Sequence, residues 1–359
     1  MKIIYLSIDT HGYHTFLWKV VLLVLLSLYV PSSIAQTTTQ LISDQISLYR
    51  KAYPEIEFKL LHSMTDFDQL IPLTDSLGKG LSNVDYEHPA NLRITLVEAQ
   101  EYRIALHLNN GNGTATLFKT PNARITKKPY TCLITLNIPL LDESALAASR
   151  FMYDIDDEAL TSISETNLIN NHNFLVFSID HEVFHCIDAY TNGFMYPKTR
   201  DPVKSLLDRC NTERRAEIFA AMAHLSRQPT GKKFLLNLAN ARTLSLLNAD
   251  VEHYTSDVLI MMVESSKPNN TLGIKEMARK SMRLAEDHEL SFTEHKEFIV
   301  TLWAVLEGFE IDADFIFTEY PELALEVPSP DKVESLRSKI TNAQTVINPN
   351  YTVQLLNVR

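Results

Sequence analysis

The segment Ser178-Ile179-Asp180-His181-Glu182-Val183-Phe184-His185-Cys186-Ile187-Asp188 concentrates the residue types best suited to chemistry. His181 and His185 are four apart, so on a helix both imidazoles leave the same side, one turn apart. Their neutral nitrogens can then reach a single metal ion. Glu182 lies about 100° further round the helix, off that shared direction but near enough to take a proton from a water beside the metal.

Two histidines leave a zinc ion short of the three protein ligands typical of a catalytic site, where water fills the fourth position. The next acidic cluster, Asn211-Thr212-Glu213-Arg214-Arg215-Ala216-Glu217-Ile218-Phe219-Ala220, can supply the third. Glu213 and Glu217 are also four apart, and Glu213 follows His185 by 28 residues. That interval accommodates a loop and an antiparallel second helix.

HExxH is the zinc-peptidase signature, and HExxH followed by this ExxAEIF stretch resembles the gluzincin metallopeptidases, the thermolysin-like class. The resemblance covers roughly residues 174–225 and points to no particular subfamily. It implies one zinc per chain, with His181, His185 and Glu213 as ligands and Glu182 as general base. Glu217 becomes the carboxylate that buttresses a ligand histidine. Glu217 stands where the family generally has Asp, which leaves the roles of Glu213 and Glu217 open to exchange.

Around this set, Asp188 falls three residues after His185 on the same side. It reads either as a carboxylate orienting a ligand imidazole or as a helix-surface residue. His224 shares a face with Glu213 and reads as a packing or solvated residue. A peptidase also needs a donor for the oxyanion of the tetrahedral intermediate. Tyr190, Tyr196, His253 and Tyr254 are all candidates.

The elements that must hold these groups are mainly helical. After Pro139 the apolar spacing is helical throughout. Ser291 with Glu294 forms a capping-box pattern, and Asp201-Pro202 and Ser329-Pro330 mark helix starts. Phe298, Leu302, Val305 and Phe309 fall on one helical face. Before Pro139 lie four short β-rich runs, Arg93–Val97, Tyr102–Leu108, Thr114–Phe118 and Cys132–Leu136, with a hairpin signal at Asn109–Gly113. The predicted fold class is α+β: a mainly helical, zincin-like catalytic domain whose small, mostly antiparallel sheet precedes the HExxH helix. An edge strand of such a sheet can bind an extended peptide. The expected organisation is a signal peptide over 1–35, a helical and loop region over 36–90, the catalytic domain over 91–320, and a C-terminal helix and tail over 321–359.

Residues 20–30 form an uncharged apolar run, too short to span a bilayer, with Lys2 and Lys19 before it and Ser33 and Ala35 after it. This pattern predicts an exported protein, periplasmic or extracellular, with no stable membrane span once the leader is cleaved. Of three cysteines, Cys132, Cys186 and Cys210, the pair nearest in sequence is Cys186–Cys210. Asn112, Asn269 and Asn350 head glycosylation sequons. The 45% hydrophobic content excludes wholesale disorder, and 33 Lys+Arg against 44 Asp+Glu argues against nucleic acid as a partner. Nine glycines in 359 residues, well under the average of roughly 7%, suit a helical frame and no Gly-rich phosphate loop. The expected activity is hydrolysis of a peptide or protein substrate by a zinc-activated water. The competing expectation is a non-catalytic exported binding or envelope protein with a structural or decayed zinc site, closed by a fourth protein ligand such as Cys186, Asp188 or Glu217.

Overall fold

The computed structural model describes residues 38–61, 85–87, 93–95, 114–119, 128–136, 144–155, 157–193, 199, 201–265 and 272–347. The leader at 1–35, the run Tyr102–Leu108, the turn Asn109–Gly113, the three sequon asparagines and Tyr196 lie outside them. The chain divides into two units, Met1–Ser43 and Asp44–Arg359. Of the first, only the opening of a helix is described; the sheet, the other helices and the candidate site belong to the second.

That helix, α1 (Thr38–Ala52), ends on Arg50 and Lys51, cations suited to the negative end of its dipole. Its second half buries Gln45, Ile46 and Tyr49. The chain then enters β1 (Ile56–Leu61), where Ile56 and Phe58 are fully buried while Glu57 and Lys59 are partly exposed, the period-two pattern of a strand. Two further three-residue strands, β2 (Asp85–Glu87) and β3 (Arg93–Thr95), pair antiparallel with each other. The main sheet is completed by β4 (Thr114–Lys119) and β5 (Tyr130–Thr135) in the order β1-β5-β4.

The α+β class and the helical majority agree with the sequence. The expected single, mostly antiparallel sheet does not. β5 lies between a parallel neighbour, with Phe58 opposite Cys132, and an antiparallel one, with Leu117 opposite Cys132. β1 comes from a stretch read as helix and loop, and β3 belongs to the separate pair. β1 and β5 are far apart in sequence and joined by no tight turn, so no hairpin constrains their direction. Pairing of β1 with β5 also means that segments 36–90 and 91–320 share one sheet.

Two short helices, α2 (Ala147–Tyr153) and α3 (Asp157–Thr161), lead to α4 (Asn171–Asn192). Asn170 caps α4 by accepting from the Asn173 amide at 3.0 Å, and Gly193, with φ of +86°, ends it. Nearly every turn of α4 buries side chains on more than one side, Phe174, Phe177, Val183, Phe184 and Ile187 among them, so it runs through the interior. Next comes α5 (Pro202–Arg227), started by the Asp201 side chain on the Lys204 amide and by Pro202. Asn173 meets Gln228 while Asp188 meets Arg215, so α4 and α5 run antiparallel. Phe184 stacks on Phe219 at 4.8 Å between them, and burying each ring contributes about 1.5–3 kcal/mol.

The remaining helices are α6 (Lys232–Leu244), α7 (Ser256–Ser265), α8 (Ile274–Glu286), α9 (Phe292–Gly308), α10 (Asp314–Glu319) and α11 (Pro330–Ile347). The Ser291–Glu294 capping box forms as the sequence predicts, and Leu302 and Val305 sit in a core with Val203, Leu206, Leu336 and Ile340. The disulfide joins Cys132 of β5 to Cys186 of α4, with Cα atoms 5.8 Å apart; Cys210 is free and buried. The pair nearest in sequence is therefore not the bonded one. The Cys210 thiol lies 3.6 Å from the Val251 carbonyl and packs in the core with Val203 and Leu206.

Candidate metal centre

His181 and His185 leave α4 on one side, as their spacing requires, with their Nε2 atoms 3.1 Å apart. Glu213 meets them from α5: its Oε2 is 2.8 Å from His181 Nε2 and its Oε1 is 3.3 Å from His185 Nε2. These three side chains offer ligand atoms that all lie within 4.8 Å of one another, and together they can hold a metal ion. Glu217, one turn further along α5 and fully buried, takes the other nitrogen of the same ring: its Oε2 is 2.9 Å from His181 Nδ1. The two glutamates thus separate by position. Glu213 stands on the converging side, and Glu217 stands behind His181 and fixes its tautomer.

Behind Glu217 is a layer with no signature in the sequence. Arg242 of α6 donates Nε to Glu217 Oε1 at 3.0 Å, and Thr255 Oγ1 donates to the same oxygen at 2.9 Å. Burial alone would raise the Glu217 carboxyl; Arg242 and His181 overcome it and bring the pKa down to about 2. Glu213 is likewise held well below the usual range, since His185 and His181 outweigh the effect of burial. Burial by itself would lower His181, but the charges and hydrogen bonds of Glu213 and Glu217 raise it to about 10 in the metal-free protein.

Glu182 is buried, and burial pushes its carboxyl up, partly offset by His181 and His185. Of the four oxyanion-donor candidates, only His253 comes to the centre among the described residues. Its Nε2 is 3.9 Å from Glu213 Oε2, and its Nδ1 is held by Asp250 Oδ1 at 2.8 Å. Burial would lower its pKa, yet Asp250 and Glu213 lift it to about 9. Tyr190 instead bonds Glu55 and packs edge-on against Tyr53 and Tyr130, and Tyr254 stacks on Phe298.

Asp188 does not orient a ligand ring. Its Oδ2 accepts from Arg215 Nε at 2.9 Å and its Oδ1 from Asn192 at 2.6 Å, so it fastens α4 to α5 beside the centre. His224 is a packing residue, 4.6 Å from the Phe234 ring and 3.2 Å from the Gly231 carbonyl. Asp180, next to His181, is fully buried under Gln45 and Tyr49 of α1 and Arg227 of α5, which fasten α4 to those two helices. No family model matches this chain, and no curated protein or solved structure matches it.

Proposed function

We propose that this chain is an exported, zincin-like, zinc-dependent peptidase. The observation that carries the reading is the His181–His185–Glu213 convergence with Glu217 on the far nitrogen of His181. Ligands about 2.0–2.1 Å from a tetrahedral zinc lie roughly 3.3 Å from one another, and the contacts of 2.8, 3.1 and 3.3 Å here are close to that spacing. Two imidazoles and one carboxylate are also the donor set of catalytic rather than structural zinc. The groups able to close a structural site are engaged elsewhere: Cys186 in the disulfide, Asp188 with Arg215, and Glu217 with His181, Arg242 and Thr255.

When bound, zinc supplies a Lewis acid that lowers the pKa of a water molecule and polarises a carbonyl. The chain's own residues do the rest. Glu182, whose basicity burial increases, takes the proton released by the attacking water and returns it to the departing amine. His253 keeps Nδ1 on Asp250, and its protonated form has Nε2–H to donate to the developing oxyanion. β4, an outer strand of the three-stranded sheet among the described residues, packs beside α4, where its backbone edge would take an extended peptide. The Cys132–Cys186 bond supports an oxidising, extracytoplasmic setting and hence the 1–35 leader. No helix among the described residues is long and apolar enough to cross a membrane.

The test compares parent and Glu182→Gln protein for zinc content and for digestion of a peptide library. Both should hold about one zinc per chain, and the variant should lose about 10²–10⁴ in turnover. Equal cleavage by the two proteins would refute the mechanism, and a parent that takes up no zinc would refute the site.

A further inference from the structure

Thr255 is neither a ligand nor a proton carrier, yet its hydroxyl touches both halves of the centre. The carboxylate of Glu217 is shared: Oε2 holds His181 Nδ1 at 2.9 Å, while Oε1 accepts from Thr255 Oγ1 at 2.9 Å and from Arg242 at 3.0 Å. Glu217 is fully buried, so these charge-assisted bonds face no competition from water. Thr255 also stands two residues after His253, and its Oγ1 lies 3.3 Å from the His253 carbonyl oxygen. The single hydroxyl proton goes to Glu217, so the path from His181 through Glu217 and Thr255 reaches His253 along the two intervening peptide bonds. Other ties to this turn come from α5 without touching the ligand rings: Arg209 to Glu252, Cys210 to the Val251 carbonyl, and Arg214 to Asp257. They fasten the turn to α5, and the Thr255 hydroxyl adds a tie to Glu217, the carboxylate on His181.

We infer that Thr255 is a positioning residue, whose hydroxyl, acting through Glu217, sets the orientation of the His181 ring and the reach of His253 together. The inference rests on the peptidase reading above. Without the hydroxyl, Glu217 keeps one donor on Oε1 and turns toward Arg242, out of line with His181, while the turn bearing His253 keeps its ties to Arg209, Cys210 and Arg214 but loses the one that ends on the carboxylate holding His181.

The test uses the full-length protein and its Thr255→Val and Thr255→Ser variants, loaded with Co²⁺ for absorption spectra and with Zn²⁺ for chelator competition. Thr255→Val should change the Co²⁺ spectrum and weaken zinc retention about tenfold, the low end for groups behind a ligand. It should lower kcat about tenfold with KM within about twofold, and Thr255→Ser should restore all three. In a His253→Ala background the kcat effect of Thr255→Val should shrink to under about twofold, as expected of groups acting in one chain. If Thr255→Val does not fold, Thr255→Ala is read in its place. A variant with the parent's spectrum and zinc retention overturns the inference, and so does a defect that serine fails to repair. A parent that binds neither metal overturns the peptidase reading along with it, whereas a competent parent matched by its Thr255→Val variant overturns the inference alone.

Discussion

His181 lies between two carboxylates, and that position would govern how the centre takes up a metal ion. In the metal-free protein Glu213 and Glu217 hold a proton on this ring up to about pH 10, against the opposing effect of burial. A ligating imidazole must be neutral, so metal and proton compete. Zinc uptake between pH 6 and 8 should therefore expel about one proton, and apparent affinity should rise about tenfold per pH unit in that range. Calorimetry in buffers of different ionisation enthalpy measures the released proton directly, and pH-independent affinity would contradict the arrangement. Asp188 makes a contrasting case. Asp188→Asn leaves Arg215, only 8% exposed at its side chain, without its buried partner while touching no ligand. Stability should fall by about 3 kcal/mol, the low end for a broken buried pair, because Glu289 still holds Arg215 at 2.7 Å. Zinc retention should stay within about twofold, as urea unfolding and chelator competition on one variant would show. The ligand histidines and glutamates are legible in the sequence because residues four apart share a helical face. Arg242 and Thr255 are not, and His253 is only one of four donor candidates there, because all three reach Glu217 and Glu213 from other elements across gaps that carry no periodic pattern.

At the scale of elements, the centre needs α4 and α5 side by side and α6 folded tightly back over them. The return from α5 to α6 is made at Gly231, where an added Cβ would fall 2.4 Å from His224 Nε2 and 2.9 Å from the Gln228 carbonyl oxygen. His224 is buried against Phe234, so its ring has little room to retreat. Gly231→Ala should therefore cost about 1–3 kcal/mol through overpacking, seen as a lower Tm with the metal stoichiometry unchanged. Helix starts were the most legible elements: Asp201-Pro202, Ser329-Pro330 and the Ser291–Glu294 box all rest on contacts within one turn. β1 was not legible. Its six residues carry a short period-two signal directly after a helix, and what makes them a strand is hydrogen bonding to β5, far along the chain.

At the scale of the whole molecule, a disulfide cross-links β5 of the sheet to α4. Cys132 and Cys186 are 54 residues apart, and closing a loop of that length stabilises the native state by about 4 kcal/mol through lost disorder of the unfolded chain. The Cys132→Ser, Cys186→Ser double variant should lose stability of that order, read from its urea midpoint, with the same ligand set available to metal. Local rules act within one turn of helix, so the sequence alone determined the HExxH spacing, the Glu213–Glu217 pair, the helix caps and the helical majority. Only the tertiary structure decided which glutamate faces the converging side, which cysteines pair, that β5 lies between a parallel and an antiparallel neighbour, and that His253 and Thr255 reach the centre. Those outcomes depend on which surfaces bury one another, and burial brings together residues whose separation along the chain imposes no geometry of its own.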